Sequence, residues 1–265
     1  MDKIMENYFE IGIIGGTGGI GKWFAEYFRA EGFAVHVTGR TSGMSLPELA
    51  RTCRAIFVSV PIGSTVDVIR RIGPLVKGDS LLADFTSLKA EPVRAMVEYS
   101  AAEVVGVHPL FGPNVAALSG ENIILCPARG EKWAKWLTQI FEKGGARVTE
   151  TTPEVHDRKM AAVQALPHLS TMAMGIVLNG LGEDVGEIER FSTPIFRERL
   201  RMIEKVFGHP NLYAEIIRHN PFSQQVLDLY RHALSELEFF LREKEGPDNL
   251  ERELGILSEG LKKRI

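Results

Sequence analysis

Two cysteines in 265 residues, Cys53 and Cys126, are too few and too far apart for a metal knuckle or a disulfide framework. Cysteine this sparse fits a reducing compartment, so a cytoplasmic location is expected. Positive charge is not in excess: 31 Lys and Arg against 34 Asp and Glu leave a net charge of -3. That argues against broad nucleic-acid binding, which needs a basic surface. No uninterrupted apolar run reaches bilayer length, and the first ten residues lack a basic region followed by an apolar core. No membrane partner is expected. Repeats and low-complexity linkers are missing as well. What remains is an ordinary soluble composition, 45% hydrophobic and 25% charged, long enough for one large domain or two modest ones.

The first half of the chain carries a clear pattern. An apolar run, Phe9 to Ile14, ends in Gly15-Gly16-Thr17-Gly18-Gly19-Ile20-Gly21, and a helical pattern follows from Lys22 to Ala30. Gly16, Gly18 and Gly21 fit G-x-G-x-x-G between a strand and a helix, and a second strand, Ala34 to Thr38, completes a βαβ unit. The glycines serve mechanically distinct ends, namely the tight turn, close approach of backbone to a pyrophosphate, and close helix-strand packing. A structural glycine turn is the plain alternative; the context favours dinucleotide binding through Gly16, Thr17, Gly18, Gly19, Ile20 and Gly21.

The second strand leads into Arg40 and Thr41, where an NAD site usually carries an acidic residue. Arginine there accommodates a 2′-phosphate, so NADP is expected, with NAD possible. Further strands are expected at Ala55 to Val60, Ser80 to Asp84, Val104 to Val107, Asn122 to Cys126 and Ala146 to Thr149. Helical patterns lie between most of them. This alternation predicts a doubly wound, mostly parallel Rossmann-type sheet over residues 1–150. Ser59, Val60 and Pro61 end the Ala55 to Val60 strand and should lie beneath the adenosine and ribose. The apolar run Val105-Gly106-Val107 enters His108-Pro109-Leu110-Phe111-Gly112-Pro113, a strand end followed by chain breakers. Ligands bind outside the carboxyl ends of such strands, and a histidine there can take a proton near neutral pH. A histidine that merely bonds the loop is the plain alternative. Ser87, after the strand ending at Asp84, falls at the same sheet edge, where a serine often just caps the next helix.

After Thr152-Pro153 the pattern is helical to the end, which predicts a second, all-helical domain over residues 151–265. Its first helix, Pro153 to about Leu178, is long and apolar, with Pro167 expected to kink it and His168 at the kink. Further helices are expected at Pro194 to Phe207, Leu212 to Arg218, Ser223 to Lys244 and Asp248 to Lys263. A long apolar helix in so small a domain suggests burial against a second copy, a homodimer.

Several segments together resemble the arogenate/prephenate dehydrogenase family of tyrosine biosynthesis. They are the Gly16 turn, Asp84-x-Thr86-Ser87-x-Lys89, the His108 to Pro113 segment, Glu154-x-His156-Asp157, Gln164-Ala165-Leu166-Pro167-His168, and Ser192-x-Pro194-Ile195-x-Arg197. The resemblance implies oxidative decarboxylation of prephenate to 4-hydroxyphenylpyruvate, with hydride passing to NAD(P)+. It implies His108 as the base, with Ser87 bonded to it and to the substrate hydroxyl. It also implies His168, and His156 if that residue is not purely structural, as substrate contacts. A fused chorismate mutase domain beyond residue 265 is implied as a possibility.

One departure concerns the carboxylate grip. Where the family carries an arginine two helical turns beyond Arg197, this chain has Lys205. Arg197, Arg201 and Lys205 are spaced i, i+4, i+8, so one helix face carries three cations. Lysine is a point charge and cannot make arginine's bidentate contact. Either Lys205 or Arg201 grips the acid, the pocket favours another acid, or the stripe is merely solvated. Rival readings are arogenate as substrate, another oxidoreductase of the 6-phosphogluconate dehydrogenase type, a deazaflavin-dependent NADP reductase, and a non-catalytic NADP-binding sensor. A short-chain dehydrogenase is disfavoured, because no tyrosine has a lysine four residues on.

Overall fold

The computed structural model describes residues 9–39, 44–242 and 248–263. Seven strands form one sheet in the order β2-β1-β3-β4-β5-β6-β7. They are β1 (Glu10–Ile14), β2 (Ala34–Thr38), β3 (Ala55–Val58), β4 (Leu81–Asp84), β5 (Glu103–Pro109), β6 (Asn122–Arg129) and β7 (Arg147–Glu150). β1 to β5 are mutually parallel, whereas β6 runs antiparallel to β5 and β7 parallel to β6. The reversal follows from the connection. Residues 110–121 contain no helix, and parallel neighbours need a crossover, usually helical.

Helices cover both faces of the sheet. α1 (Gly19–Ala30) and α5 (Lys132–Lys143) bury Phe24, Phe28, Trp133, Leu137 and Phe141 on one face. α2 (Leu46–Thr52), α3 (Ile62–Ile72) and α4 (Ala90–Tyr99) bury Leu49, Ile69, Ile72 and Met96 on the other. Strand β3 is apolar along its length, and β4 up to its terminal Asp84, because both their faces are covered. The result is a doubly wound α/β layer structure with a helical second part. Its switch point lies at β1, where the chain passes first to β2 and later to β3 on the opposite side.

The helical part begins with α6 (Pro153–Met160), capped by the Thr152 side chain, which accepts from Val155 N at 3.3 Å. It passes through one π turn, Ala161–Ala165, into α7 (Leu166–Leu181). The interruption expected at Pro167 therefore takes the form of a wide turn just before the ring. A helix-interior proline strips the carbonyl four residues earlier of its partner and crowds it, and widening the preceding turn accommodates both. Then come α8 (Val185–Arg190), which no pattern in the sequence announces, α9 (Pro194–Gly208), α10 (Pro210–His219), α11 (Ser223–Arg242) and α12 (Asp248–Lys262).

The helical stretch Pro153–Leu181 has 29 residues and an 18-residue window of mean hydropathy 1.4, enough by length and composition to cross a membrane. The sequence hides this because His156, Asp157, Gln164 and His168 interrupt the apolar run, although the helix itself continues. Its first two turns are nonetheless anchored in protein: Asp157 is buried and bonded to the start of α4. Only 17% of the apolar window is buried within the chain. Val206, Tyr213 and Ile216, packed with Met172 and with Ile62 of α3, form a small satellite core. The outward face of this domain is thus left apolar, with Ile176, Val177 and Leu181 exposed.

Candidate active site

The glycine turn meets the demands of a dinucleotide site. A side chain at Gly16 would collide with Val37, and one at Gly21 with the carbonyl of Gly15. Gly15 has φ +84° and sits against the backbone carbonyl of Ser59, which fixes the turn onto the end of β3. Gly18 and Gly19, in contrast, face open space. Among the described residues no side chain caps α1, and no acidic residue stands in its first turn, so its leading N–H groups suit an anion. These residues fit a bound dinucleotide. Thr17 is exposed and Ile20 half-buried at the same turn, and Ser59, Val60 and Pro61 lie at the adjoining strand end. Gly39 comes against the Thr17 side chain, which brings the end of β2 beside the turn. Arg40 and Thr41 themselves fall outside the described residues.

His108 lies near the carboxyl end of β5, opposite Ile124 of β6, and is only 2% exposed. Its Nδ1 lies 2.8 Å from His156 Nε2, and His156 Nδ1 lies 2.7 Å from Asp157 Oδ1. The hydrogens in this line follow from its end. Asp157 Oδ1 also accepts from Lys89 N at 2.8 Å, and Oδ2 from Ala90 N at 2.9 Å, so the carboxylate is an acceptor throughout. His156 must then donate from Nδ1, which leaves its Nε2 to accept from His108 Nδ1–H. His108 therefore carries its lone pair on Nε2. Facing that nitrogen is the Gln164 amide, with Nε2 at 3.4 Å.

Under this line lies a buried charge pair. Lys89 and Asp84, both 0% exposed, form an ion pair, and Lys89 Nζ also donates to Val107 O at 2.9 Å, the carbonyl next to His108. Thr86 bonds Asp84 through its backbone N–H at 3.0 Å and through its hydroxyl. Burial, then the charges of His156 and Lys89, push His108 well below the usual histidine range. Burial also lowers His156, against the opposing pull of Asp157. Both imidazoles are therefore neutral at pH 7.

The expected site residues separate into those brought together and those not. Ser87 is half-buried at the right sheet edge but makes no hydrogen bond to His108, whose two ring nitrogens are taken by His156 and Gln164. His156 is 1% exposed and spends both nitrogens on His108 and Asp157, so it supports the base and leaves no free nitrogen for a substrate. His168 packs edge-on against Tyr213, with ring centroids 4.6 Å apart; burial lowers its pKa first, and the charge of Lys205 second. Lys205 thus stands within electrostatic reach of His168. Arg197 instead donates to Ser192 O and Oγ, both at 3.1 Å, at the start of its own helix. Arg201 is exposed on the same helix face.

Four participants receive no role from sequence reasoning: Lys89, Asp157 and Gln164, which enter it only as members of the matching segments, and Asn220, which does not enter it. Asn220, 4% exposed, donates from Nδ2 to Asp157 O at 2.8 Å and so ties α10 to the same joint. A signal for Gln164 existed, since His156, Met160, Gln164 and His168 recur every four residues on one helical stripe.

Comparison with known proteins follows the same division of the chain. Residues 24–150 match the family model described as the nucleotide-binding domain of prephenate dehydrogenase, and residues 152–255 the one described as its dimerization domain. A probable arogenate/prephenate dehydrogenase of Methanocaldococcus jannaschii is 34% identical over 255 residues, covering 89% of this chain and 57% of the relative. The T-protein of Haemophilus influenzae is 33% identical over 239 residues, covering 89% of this chain and 63% of the relative. The chain thus spans about three-fifths of the length of these relatives. In fold it is similar to the crystal structure of prephenate dehydrogenase from A. aeolicus in complex with hydroxyphenyl propionate and NAD+. That similarity has a TM-score of 0.75 at 18% identity, over 97% of this chain and 99% of the other.

Proposed function

The chain belongs to the prephenate dehydrogenase family, and from that premise we propose that it oxidises the ring hydroxyl of prephenate with loss of the ring carboxylate as CO2. The observation that carries this reading is the line Asp157–His156–His108, which presents a neutral imidazole with its lone pair on Nε2 at the carboxyl edge of the sheet. A bound nicotinamide dinucleotide supplies the acceptor for the hydride. His108 takes the hydroxyl proton as the carbon–oxygen double bond forms, which a base near neutral pH does well. When CO2 departs, its bonding electrons aromatise the ring and leave a phenolate oxygen, to which His108 returns the proton. No net proton is released.

The remaining groups divide by domain. The turn from Gly16 to Gly21 holds the pyrophosphate, and Ser59, Val60 and Pro61 lie beside the adenosine. NADP is preferred over NAD, on the strength of Arg40 and Thr41 following Gly39. His168 and Lys205 bind the acid, with Arg201 the neighbouring cation on the same face; Ser87 contacts the substrate hydroxyl from the sheet edge. Lys205 acts as a point charge here. A homodimer through the outward face of α7 covers its exposed apolar residues, and a cytoplasmic location fits the sparse cysteine.

Following NADPH and NADH formation with prephenate and with arogenate side by side tests the proposal. The highest kcat/KM is expected for prephenate with NADP+. A higher value with arogenate would reassign the substrate, and no turnover with either acid would overturn the reading.

A further inference from the structure

Gln164 has no structural employment that accounts for its place. It lies in the π turn between α6 and α7, on the stripe that also carries His156 and His168. Its Oε1 is buried without any hydrogen-bond partner, and among the described residues its one side-chain hydrogen bond is from the amide nitrogen to His108 Nε2. Buried polar groups left unpaired call for a functional account, and π turns occur frequently at functional sites.

We propose that Gln164 is a catalytic residue, donating its amide N–H to the oxygen that His108 deprotonates. This rests on the oxidation proposed above. The geometry allows it directly. The two nitrogens are 3.4 Å apart, so one hydroxyl oxygen can sit about 2.8 Å from His108 Nε2 and about 2.9 Å from Gln164 Nε2 at once. In the free protein the amide donates to the lone pair of the base; with substrate bound, a small swing transfers that N–H to the substrate oxygen. As the O–H proton passes to His108 and hydride leaves the carbon, the N–H stabilises negative charge on the oxygen. It does so again on the phenolate formed when CO2 departs, until His108 returns the proton.

Gln164→Leu, which keeps the bulk and removes the donor, should lower kcat by about 10²-fold, as loss of one oxyanion donor does. KM for prephenate and Kd for the dinucleotide should stay within about threefold. Gln164→Glu adds a second readout. His108 is faced by His156 and Lys89, with Asp84 and Asp157 behind them, and a carboxylate at 164 would favour the imidazolium. The acidic limb of the kcat profile should therefore move to higher pH in Gln164→Glu. His108→Asn serves as the control for the function itself. If His108→Asn is inactive while Gln164→Leu keeps its kcat within threefold, or raises KM alone, the role of Gln164 is overturned and the function stands. An unmoved limb in Gln164→Glu overturns it even if Gln164→Leu does not fold. Should the unmutated protein oxidise neither prephenate nor arogenate, both fall.

Discussion

His156→Phe isolates the part of the site that fixes which nitrogen of His108 is free. The substitution keeps a ring of similar size in a position that is 1% exposed, so packing changes little. What disappears is the acceptor 2.8 Å from His108 Nδ1. Left as it is, Nδ1–H becomes a buried donor without a partner, which costs about 1–3 kcal/mol. The ring escapes that cost by moving its proton to Nε2, where the Gln164 amide can turn its carbonyl to accept it. That tautomer is inert, because Nε2 no longer has a lone pair for the substrate proton. A penalty of about 1–3 kcal/mol corresponds to roughly a 5- to 150-fold smaller active population, and kcat should fall by that factor. KM for prephenate should hold, because no substrate contact is lost.

His156→Gln should restore most of the loss, since its carbonyl can accept from His108 Nδ1–H and its N–H₂ can donate to Asp157. Steady-state kinetics gives the rates, and nitrogen-detected NMR of the His108 ring reads the tautomer directly. If His156→Phe keeps kcat within twofold, or if His108 retains its proton on Nδ1 in that variant, the line from Asp157 does not control the base. A merely structural histidine would not show rescue by glutamine together with a tautomer shift.

Three further outcomes follow from the same contacts. Lys89→Met leaves Asp84 as an uncompensated buried charge and should destabilise the fold by about 3–5 kcal/mol in urea unfolding; it should also raise the acidic limb of the kcat profile, because one cause holding His108 down is gone. His108 and His156 both have folded pKa values below 6.5, so the unfolded chain protonates first as pH drops. Stability should be full above about pH 6.5 and decline below it by about 1.4 kcal/mol per pH unit for each group, until the folded pKa is reached; a flat stability curve between pH 7 and 5 would contradict this. Ile176 is 67% exposed on α7, and Ile176→Glu should convert a homodimer into monomers in light scattering. An obligate interface should bury more than about 2,000 Å², and an unmutated protein that is monomeric at micromolar concentration would refute the assembly.

The sheet is legible in the sequence because its signals are local. Apolar runs such as Ala55 to Val58 and Leu81 to Ala83, bounded by turn or polar residues, announce buried strands without reference to the rest of the chain. Gly16, Gly18 and Gly21 likewise announce their turn. The reversal of β6 is legible in principle, from the absence of a helix in residues 110–121, but the strand pattern alone does not carry direction. The site is legible only where position along a strand decides the matter, as for His108. The partner of His108 is 48 residues away on α6, and only the packing of that helix against the sheet reveals it. Spacing misleads for Arg197 because regular periodicity puts it on the cationic stripe, while its own helix start captures its guanidinium.

Asp157 shows why the site resists reading residue by residue. Its side chain belongs to α6 yet caps α4 of the sheet domain through two backbone N–H groups, orients His156, and has its own carbonyl held by Asn220. The base stands on one domain and the groups that fix its tautomer stand on the other. Any opening between the domains large enough to separate α6 from α4 would therefore release His156 and leave His108 free to place its proton on either nitrogen. With Asp157 at the start of α4, the line through His156 holds the base in the one tautomer that keeps its lone pair on Nε2.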